Sequence, residues 1–454
     1  MDHDVQPSEP QEPRSGSTRV LADEPSFLQN ILAKHNPCIL LFLFVAILTI
    51  AGACTGIFYA VFEHFQTIVD LPTDDPIVPR RRQLPRESMQ KIEVSRNVFC
   101  FLNHNPKSGS PYKFFIENVS VSYCSTLVYA SLGIDRSGTK IRSKNPEVDF
   151  TARGIKRFVG LKKTRQDLTI LLCIGSDDRD SEHFRKAVSS RETRLSFIGH
   201  TIAWLREQGF DGVVLYWRYP NLEVRTNFSR LLTSAKSMFA KSNLIACVVL
   251  PWHSSVRQKA YYVESIFNNF DYVFIDSHRT VDPYLFPVTT CQSPIRSVFR
   301  ARHQGQPGLA TILDDLSLES SGSLKRTALS ISLGGVSFTV WKPMIHRVGM
   351  SATGPARPMD YTKKMGKVSY YEVMETLHKN SSWTKFYHRF SGCSVAFSAG
   401  TWIGFEDVKS ISAKRPLVRK TSGIAVWDLE MDDFSGGLGP AWPLLTQVHS
   451  LVVD

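Results

Sequence analysis

The sequence predicts an α/β fold: a (β/α)8 TIM barrel with a small α+β insertion between strands 7 and 8, preceded by one transmembrane helix. Three observations lead to this prediction. Eight short, β-rich apolar runs alternate with segments of helical periodicity from residue 94 onward. A long segment, about 340–415, separates the seventh run from the eighth. One uncharged apolar run, 37–62, precedes all of them.

The eight runs have the length and the apolar content of buried strands. They are NVFCFLN at 97–103, STLVYASL at 125–132, LTILLCIG at 168–175, FDGVVLYW at 210–217, NLIACVVLPW at 243–252, DYVFIDS at 271–277, LSISLGGVSF at 329–338 and SGIAVWDL at 422–429. Between the third and fourth runs, apolar residues such as Phe197, Ile198 and Ile202 recur at helical spacing. The segment 340–415 contains YYEVMETLHK and TWIGFEDV, so it is predicted to be a small α+β insertion.

Residues 37–62 are predicted to form a transmembrane signal-anchor helix. The run carries no charge, and it exceeds the roughly 20 apolar residues that a helix needs to cross a bilayer. Residues 1–36 precede it, which places it farther along the chain than the core of a cleaved signal peptide. Lys34 and His35 stand before the run, and Glu63 is the first charge after it. This bias predicts a single-pass type II membrane protein with a cytosolic N-terminus.

The membrane helix separates parts of different composition. Residues 1–36 are rich in Pro, Glu, Asp and Ser, and they are predicted to be a disordered cytosolic tail. Residues 63–93 form a Pro/Arg-rich stalk, whose run 80–82 of three arginines is either solvated or a proteolytic release site. Residues 94–454 form the predicted barrel, which this topology places outside the cell or in the secretory lumen.

Composition and short motifs narrow the class of protein further. Asn118, Asn227 and Asn380 begin N-glycosylation sequons, in agreement with a lumenal or extracellular barrel. The formal net charge of +12 indicates either plain solubility or polyanion binding. No phosphate loop or dinucleotide fingerprint occurs, so neither a cofactor nor a nucleic-acid partner is predicted. His278 has no second His or Cys at ligand spacing, so no metal site is predicted either.

The fourth run holds the candidate site. In FDGVVLYWRYP, residues 210–220, a single cation, Arg218, follows an apolar strand, and a charge is costly to bury without a partner. Side chains alternate along a strand, so Arg218 shares a face with Val214 and Tyr216. In a barrel this face points inward, and Arg218 lies at the C-terminal mouth, where barrel sites form. The opposite face, which packs on helices, carries Val213, Leu215 and Trp217.

FDGVVLYWRYP resembles the signature F-D-G-x-D-x-D-W-E-Y-P of glycoside hydrolase family 18, the chitinases and chitinase-like lectins. The segments NVFCFLN, LLCIGS, GGVSFTV, TWIGFEDVKSI and AVWDLEMDDFSG match other parts of the family in the same order. The resemblance covers roughly 95–454. It implies the same barrel and a chitin-type glycan as the ligand or substrate.

The resemblance also implies that hydrolysis is lost. The family carries acids at the three inner positions of this strand, and the last of them, a Glu, protonates the glycosidic oxygen in a substrate-assisted reaction. This chain has Val214, Tyr216 and Arg218 there. A guanidinium does not give up its proton near neutral pH. No catalytic residue is therefore predicted.

Other family positions are partly changed and partly kept. The M-x-Y-D of the sixth strand is Asp276–Arg279 here, and the G-G-W of the third is Gly175–Asp177. Trp427 matches the Trp that forms the floor of the family's sugar site, and Tyr219 and Asp211 are retained. The resemblance thus predicts a ligand site made of Trp427, Tyr219, Arg218, Asp276, His278 and Arg279.

The family also bears on the cysteines. Cys100 and Cys124 match a pair that is linked in the family, so a disulfide between them is expected. Cys393 resembles half of a second family pair, but the partner position is Met374 here. Cys393 is therefore either free or joined to Cys291.

Arg218 needs a partner, and the sixth strand offers Asp276, which replaces the family's Met at an inward-facing position. We expect these two residues to meet across the mouth as a charge-assisted pair. Family acids have also become Val214, Tyr216 and Arg279. A ligand at this mouth should therefore be neutral or anionic.

The sequence favours a catalytically inactive, chitinase-like ectodomain on a membrane anchor. It would bind a glycan, either a chitin oligomer or a sulfated polysaccharide, or an extracellular protein. One alternative is an active chitin or N-acetylglucosaminide hydrolase, which would need a replacement acid. Another is an adhesion or signalling scaffold that binds no glycan.

Overall fold

Eight parallel strands close into a barrel, as the alternation of apolar runs and helices predicts. The protein is described by a computed structural model that covers residues 96–103, 114–218, 220–298, 306–341 and 346–453. The predicted tail, membrane helix and stalk lie outside these residues, and so does Tyr219. Within the described ranges, no helix has both the length and the apolar character needed to cross a bilayer.

The strands belong to two sheets. In chain order they are β1 (Asn97–Leu102), β2 (Thr126–Ile134), β3 (Ile141–Arg142), β4 (Thr169–Gly175), β5 (Gly212–Tyr216), β6 (Ile245–Leu250), β7 (Tyr272–Ile275), β8 (Thr327–Ser332), β9 (Gly334–Thr339), β10 (Gly354–Pro355), β11 (Lys367–Ser369), β12 (Thr384–His388), β13 (Cys393–Ser398), β14 (Thr401–Phe405) and β15 (Gly423–Trp427). The barrel order is β1-β15-β8-β7-β6-β5-β4-β2, and the pairing of β1 with β2 closes it. All of these pairings are parallel, and each of the eight predicted runs supplies one barrel strand.

Helices connect the strands and cover the outside of the barrel. The described helices are α1 (Gly154–Gly160), α2 (Asp180–Ser189), α3 (Arg191–Gln208), α4 (Arg225–Lys241), α5 (Ser254–Ala260), α6 (Val263–Asn269), α7 (Leu309–Glu319), α8 (Tyr370–Lys379), α9 (Val408–Ala413), α10 (Arg415–Val418) and α11 (Pro443–Val453). Ser190 has an extended backbone and separates α2 from α3. Its hydroxyl accepts the Thr193 N–H in a capping box, which fixes the start of α3. Gly209, with a φ of 83°, ends that helix.

The two faces of β5 enter two separate cores. Val214 and Tyr216 pack inside the barrel, in a cluster that also holds Phe101 and Trp427. The opposite face packs against the surrounding helices through Val213, Leu215 and Trp217. The predicted alternation of inner and outer side chains along this strand is therefore confirmed.

The seventh predicted strand is in fact two strands. The run 329–338 breaks at Leu333, where β8 leaves the barrel and β9 begins a second, antiparallel sheet. That sheet has the order β10-β9-β14-β13-β12, with β11 also paired to β9. Glycine at position 335 lets β9 approach β14 closely, because a Cβ there would stand 2.7 Å from the Gly404 carbonyl oxygen.

Two disulfides fix loops to strands. Cys100 of β1 is bonded to Cys124, just before β2, as the family resemblance implies. Cys291, in the connection between β7 and β8, is bonded to Cys393 of β13. The second bond resolves the alternative that the sequence leaves open, and it joins that connection to the second sheet.

Candidate functional site

The barrel mouth, formed where the C-terminal ends of the eight strands meet, brings most of the predicted site residues together. The chain turns sharply at the end of β4, where Gly175 has a φ of 103°. A Cβ at Gly175 would lie 2.2 Å from the Tyr216 carbonyl oxygen, so only glycine fits. The Ser176 N–H then donates to this same oxygen at 2.9 Å. This turn brings the segment after β4 beside the end of β5.

The prediction that Arg218 pairs with Asp276 is wrong. The Arg218 guanidinium instead forms an ion pair with Asp178, with Nη1 and Oδ1 2.6 Å apart. β4 pairs directly with β5, whereas β6 separates β5 from β7. The residues that follow β4 are therefore the nearer neighbours of Arg218. The Arg218 side chain is 15% exposed and that of Asp178 is 64% exposed, so water reaches the pair from one side.

Asp276 is held by neutral donors rather than by an ion pair with Arg218. The Tyr216 hydroxyl donates to its Oδ2 at 3.1 Å, and the Trp252 backbone N–H donates to its Oδ1 at 2.7 Å. Burial raises the pKa of this carboxyl, while the Trp252 hydrogen bond and the charges of Arg279 and Arg218 act to lower it. The expected inward position of Asp276 is confirmed by its contact with Tyr216.

A buried arginine supports Asp276 from behind. Arg257 of α5 is fully buried and binds both carboxylate oxygens of Glu319, through Nε at 2.8 Å and Nη2 at 2.9 Å. Its Nη1 donates to the carbonyl oxygens of Pro251 and Trp252. Arg257 therefore fixes the segment whose Trp252 N–H binds Asp276.

Both faces of the predicted sugar floor are covered. The Trp427 ring stacks on Phe101 at a centroid distance of 4.0 Å and on His278 at 4.4 Å, with interplanar angles of 16° and 12°. Phe101 comes from β1 and His278 follows β7, and these strands lie on opposite sides of β15. The two rings therefore occupy opposite faces of the indole. A sugar ring could stack on Trp427 only after His278 had moved.

His278 is neutral and fixed in one tautomer. The Ser330 hydroxyl donates its single hydrogen to the Ile275 carbonyl oxygen at 2.5 Å, so it must accept from the His278 Nδ1 at 2.7 Å. That assignment places the proton on Nδ1 and leaves Nε2 as an acceptor. Burial, then the positive charges of Arg279, Lys367 and Arg218, holds the pKa of His278 well below its usual range. The ring therefore covers one face of Trp427 as an uncharged group.

The remaining predicted positions are spread over the chain. Arg279 is exposed next to His278 at the mouth. Asp211 lies at the opposite end of β5, where it binds Lys162 at 2.6 Å and accepts the Ile170 N–H, so its role is structural. Asn118 and Asn380 are exposed and Asn227 is partly exposed. Their glycosylation stays a prediction.

The free cysteines Cys173 and Cys247 are buried and therefore unreactive. Burial raises the pKa of the Cys173 thiol to about 12, and burial also raises that of Cys247. Among the residues that the structure describes, no group of three His, Cys, Asp or Glu side chains could hold a metal ion.

Three residues of the mouth were not predicted from the sequence: Phe101, Asp178 and Trp252. The sequence did contain a signal for Asp178. The acidic run SDDRD follows the third predicted strand, which neighbours the fourth in a (β/α)8 barrel, so one of its carboxylates could have been predicted to reach Arg218. Phe101 and Trp252 carried no such indication. Each acts through a neighbour that only the closed barrel brings close.

Comparison with known proteins gives a consistent result. The sequence model of Glycosyl hydrolases family 18 matches residues 97–432. An endochitinase of Manduca sexta is 24% identical over 383 residues, which cover 80% of this chain and 68% of that protein.

Solved structures agree with this match. The Group IV chitinase of Ostrinia furnacalis superposes with a TM-score of 0.75 at 23% identity, over 79% of this chain and 100% of that one. Human YKL-39, a pseudo-chitinase with retained chitooligosaccharide binding properties, superposes with a TM-score of 0.71 at 25% identity, over 79% of this chain and 100% of that one.

Proposed function

The chain belongs to glycosyl hydrolase family 18, and from this premise we propose that it is a non-hydrolytic, membrane-anchored member that binds glycans at the barrel mouth. The apolar run 37–62 supports the anchor, and the charge bias around it supports a barrel on the extracellular or lumenal side.

The main support for a non-hydrolytic protein is the position of Arg218. It stands at the end of β5, where the family resemblance implies the proton-donating Glu, and it is held there by Asp178. A permanently charged guanidinium cannot protonate a leaving oxygen. It would also repel the positive charge that develops on the sugar in the transition state.

The covered face of Trp427 argues for the same conclusion independently. A sugar that stacked on Trp427 would have to displace His278, which covers that face of the indole. We therefore place the glycan across the rim, where Arg218, Arg279 and Trp252 are at least partly exposed. The two cations favour a neutral or anionic sugar.

The test combines hydrolysis with binding, using the purified full chain in detergent. We expect no turnover of chitin oligomers above a host-protein blank, and binding to chitin oligomers or sulfated polysaccharides on a glycan array. Arg279→Ala should weaken that binding, and Arg357→Ala, which removes an exposed arginine elsewhere, should not. Turnover by the unmodified chain would refute the proposal, and an array without any bound glycan would favour the scaffold alternative.

One observation favours the alternative of an active hydrolase. Asp276 is a carboxyl at the mouth whose pKa is raised by burial, and a raised pKa is what a general acid needs. Both of its oxygens, however, already accept hydrogen bonds from Tyr216 and Trp252. Any turnover that Asp276→Asn abolished would assign catalysis to this residue.

A further inference from the structure

A cavity lies on the outer wall of the barrel, between the start of α3 and the middle of α4. We call it the flank cavity. Its volume is about 290 Å³, and it is lined by Arg191, Arg194 and Leu195 of α3 and by Ser229, Arg230, Thr233 and Ser234 of α4. On each helix these residues recur at spacings that place them on one face, so the two polar faces confront each other. Three guanidinium groups and three hydroxyl groups thus line one opening.

None of the three arginines forms an ion pair with a carboxylate of the described residues. Within the described part of the chain, no carboxylate oxygen lies within 4 Å of Arg191, Arg194 or Arg230. The Glu192 carboxylate interacts electrostatically with Arg191 and Arg194, but it is fully exposed and does not line the cavity. Its pKa is lowered first by a hydrogen bond from Ser190 and only to a lesser degree by Arg191 and Arg194.

The lack of a counter-charge is most unfavourable at Arg194, because this residue is buried. Arg194 is only 8% exposed. Its guanidinium makes one hydrogen bond to the described residues, in which Nη1 donates to the Val188 carbonyl oxygen at 2.9 Å. A guanidinium has five N–H donors, and a buried cation without a counter-charge is unfavourable. The Arg230 guanidinium reaches only the Asn227 Oδ1, at 3.5 Å. Most donors around the cavity therefore remain available to a ligand.

We infer that the flank cavity is a binding site for a sulfate- or phosphate-bearing group. Arginine forks match the oxygens of these anions, and charge-assisted hydrogen bonds to them are the strong ones. The hydroxyl groups of Ser229 and Ser234 add neutral donors on the second helix. The volume lies at the lower end of the range for ligand sites, so it fits one anionic group with one attached ring rather than a long chain.

This site differs from the barrel mouth in place and in chemistry. The mouth is built from strand ends and carries Asp178 and Asp276 beside its arginines. The flank cavity is built from two helices and carries no lining acid. A sulfated polysaccharide or a phosphorylated small molecule could supply the same anion, and the experiment separates these two sources.

The experiment measures binding by the full chain in detergent, with dextran sulfate and unsulfated dextran as one pair of probes and inositol hexakisphosphate as another. The double variant Arg191→Gln/Arg230→Gln changes two accessible positions and avoids the buried Arg194. We expect it to weaken binding of the preferred anionic probe by about tenfold. Arg136→Gln/Arg357→Gln removes the same charge from exposed positions elsewhere, and we expect an effect below about twofold.

Each outcome supports or refutes the inference. Loss of binding in the flank variant alone supports it, and the stronger probe identifies sulfate or phosphate as the anion. If the flank and control variants weaken binding equally, the loss reflects only the change in net charge, and the inference is refuted. Loss in Arg279→Ala without loss in the flank variant also refutes it, and it leaves the proposed function of the mouth intact. An unmodified chain that binds neither anionic probe refutes it as well.

Discussion

The barrel mouth and the flank cavity both concentrate arginines, but they balance the charge in different ways. At the mouth, Arg218 has Asp178 at 2.6 Å, and the charge of Arg279 acts on the half-buried carboxyl of Asp276. In the flank cavity, Arg191, Arg194 and Arg230 have no carboxylate partner among the described residues. The cations of the mouth are therefore partly neutralised by nearby carboxylates, whereas those of the flank receive no carboxylate from the residues that the structure describes.

The largest effect on stability is expected at the buried ion pair of Arg257 and Glu319. Arg257→Met leaves Glu319 buried without its partner, and we expect this to lower the free energy of unfolding by about 3–5 kcal/mol. Urea denaturation of the full chain measures the loss. Arg357→Met, at an exposed position, should change the midpoint little. A cost below about 1 kcal/mol for Arg257→Met would mean that Arg257 does not fix the segment behind Asp276.

The second largest effect should come from pH at the mouth. Since burial lowers the folded-state pKa of His278, the unfolded chain binds a proton below about pH 6.5 that the folded chain does not. Stability should therefore fall as the pH drops through this value, by about 1.4 kcal/mol per unit from this residue. His278→Gln keeps an N–H donor for Ser330 but cannot titrate. The variant should lose less stability than the unmodified chain between pH 7 and pH 5.5, and equal losses would show that His278 is not held neutral.

A smaller effect is expected for the paired cation of the mouth. Arg218→Met should cost about 1 kcal/mol or less, because Asp178 is largely exposed and returns to water when it loses its partner. Asp178→Asn should cost a similar amount, and the double variant should cost less than the sum if the two residues interact. Additive costs in a double-mutant cycle measured by denaturation would contradict the ion pair.

The smallest effect on stability is expected at the flank. Arg191→Gln/Arg230→Gln should change the free energy of unfolding by less than about 0.5 kcal/mol, because no carboxylate partner of the described chain is lost. Calorimetry without added anion measures this change. A large destabilisation would show that these arginines serve the fold, and it would remove the contrast with the mouth.

The sequence predicted the barrel well because its strands are marked by local patterns. Each apolar run gave a strand, and period-two alternation placed Val214 and Tyr216 inside and Trp217 outside. The break at Leu333 was missed because the run stays apolar on both sides of it. Only the change of partner, from barrel strands to β14, distinguishes β9 from β8.

The site was harder to predict because its contacts join segments that are distant in the sequence. The partner of Arg218 depended on strand adjacency, which favours the segment after β4 over the segment after β7. The stack of Phe101, Trp427 and His278 joins β1, β15 and the segment after β7. The arginines of the flank cavity lie on two helices, so only the packing of α3 against α4 brings them together.

The bond between Cys291 and Cys393 also determines how the protein would respond to a protease. The two cysteines are 102 residues apart in sequence. A single cut anywhere between them would leave both fragments on one covalent unit. Nicked and intact protein would then migrate together on a non-reducing gel and separate only after reduction. The two halves of a chain cleaved in this segment could therefore stay joined through this bond.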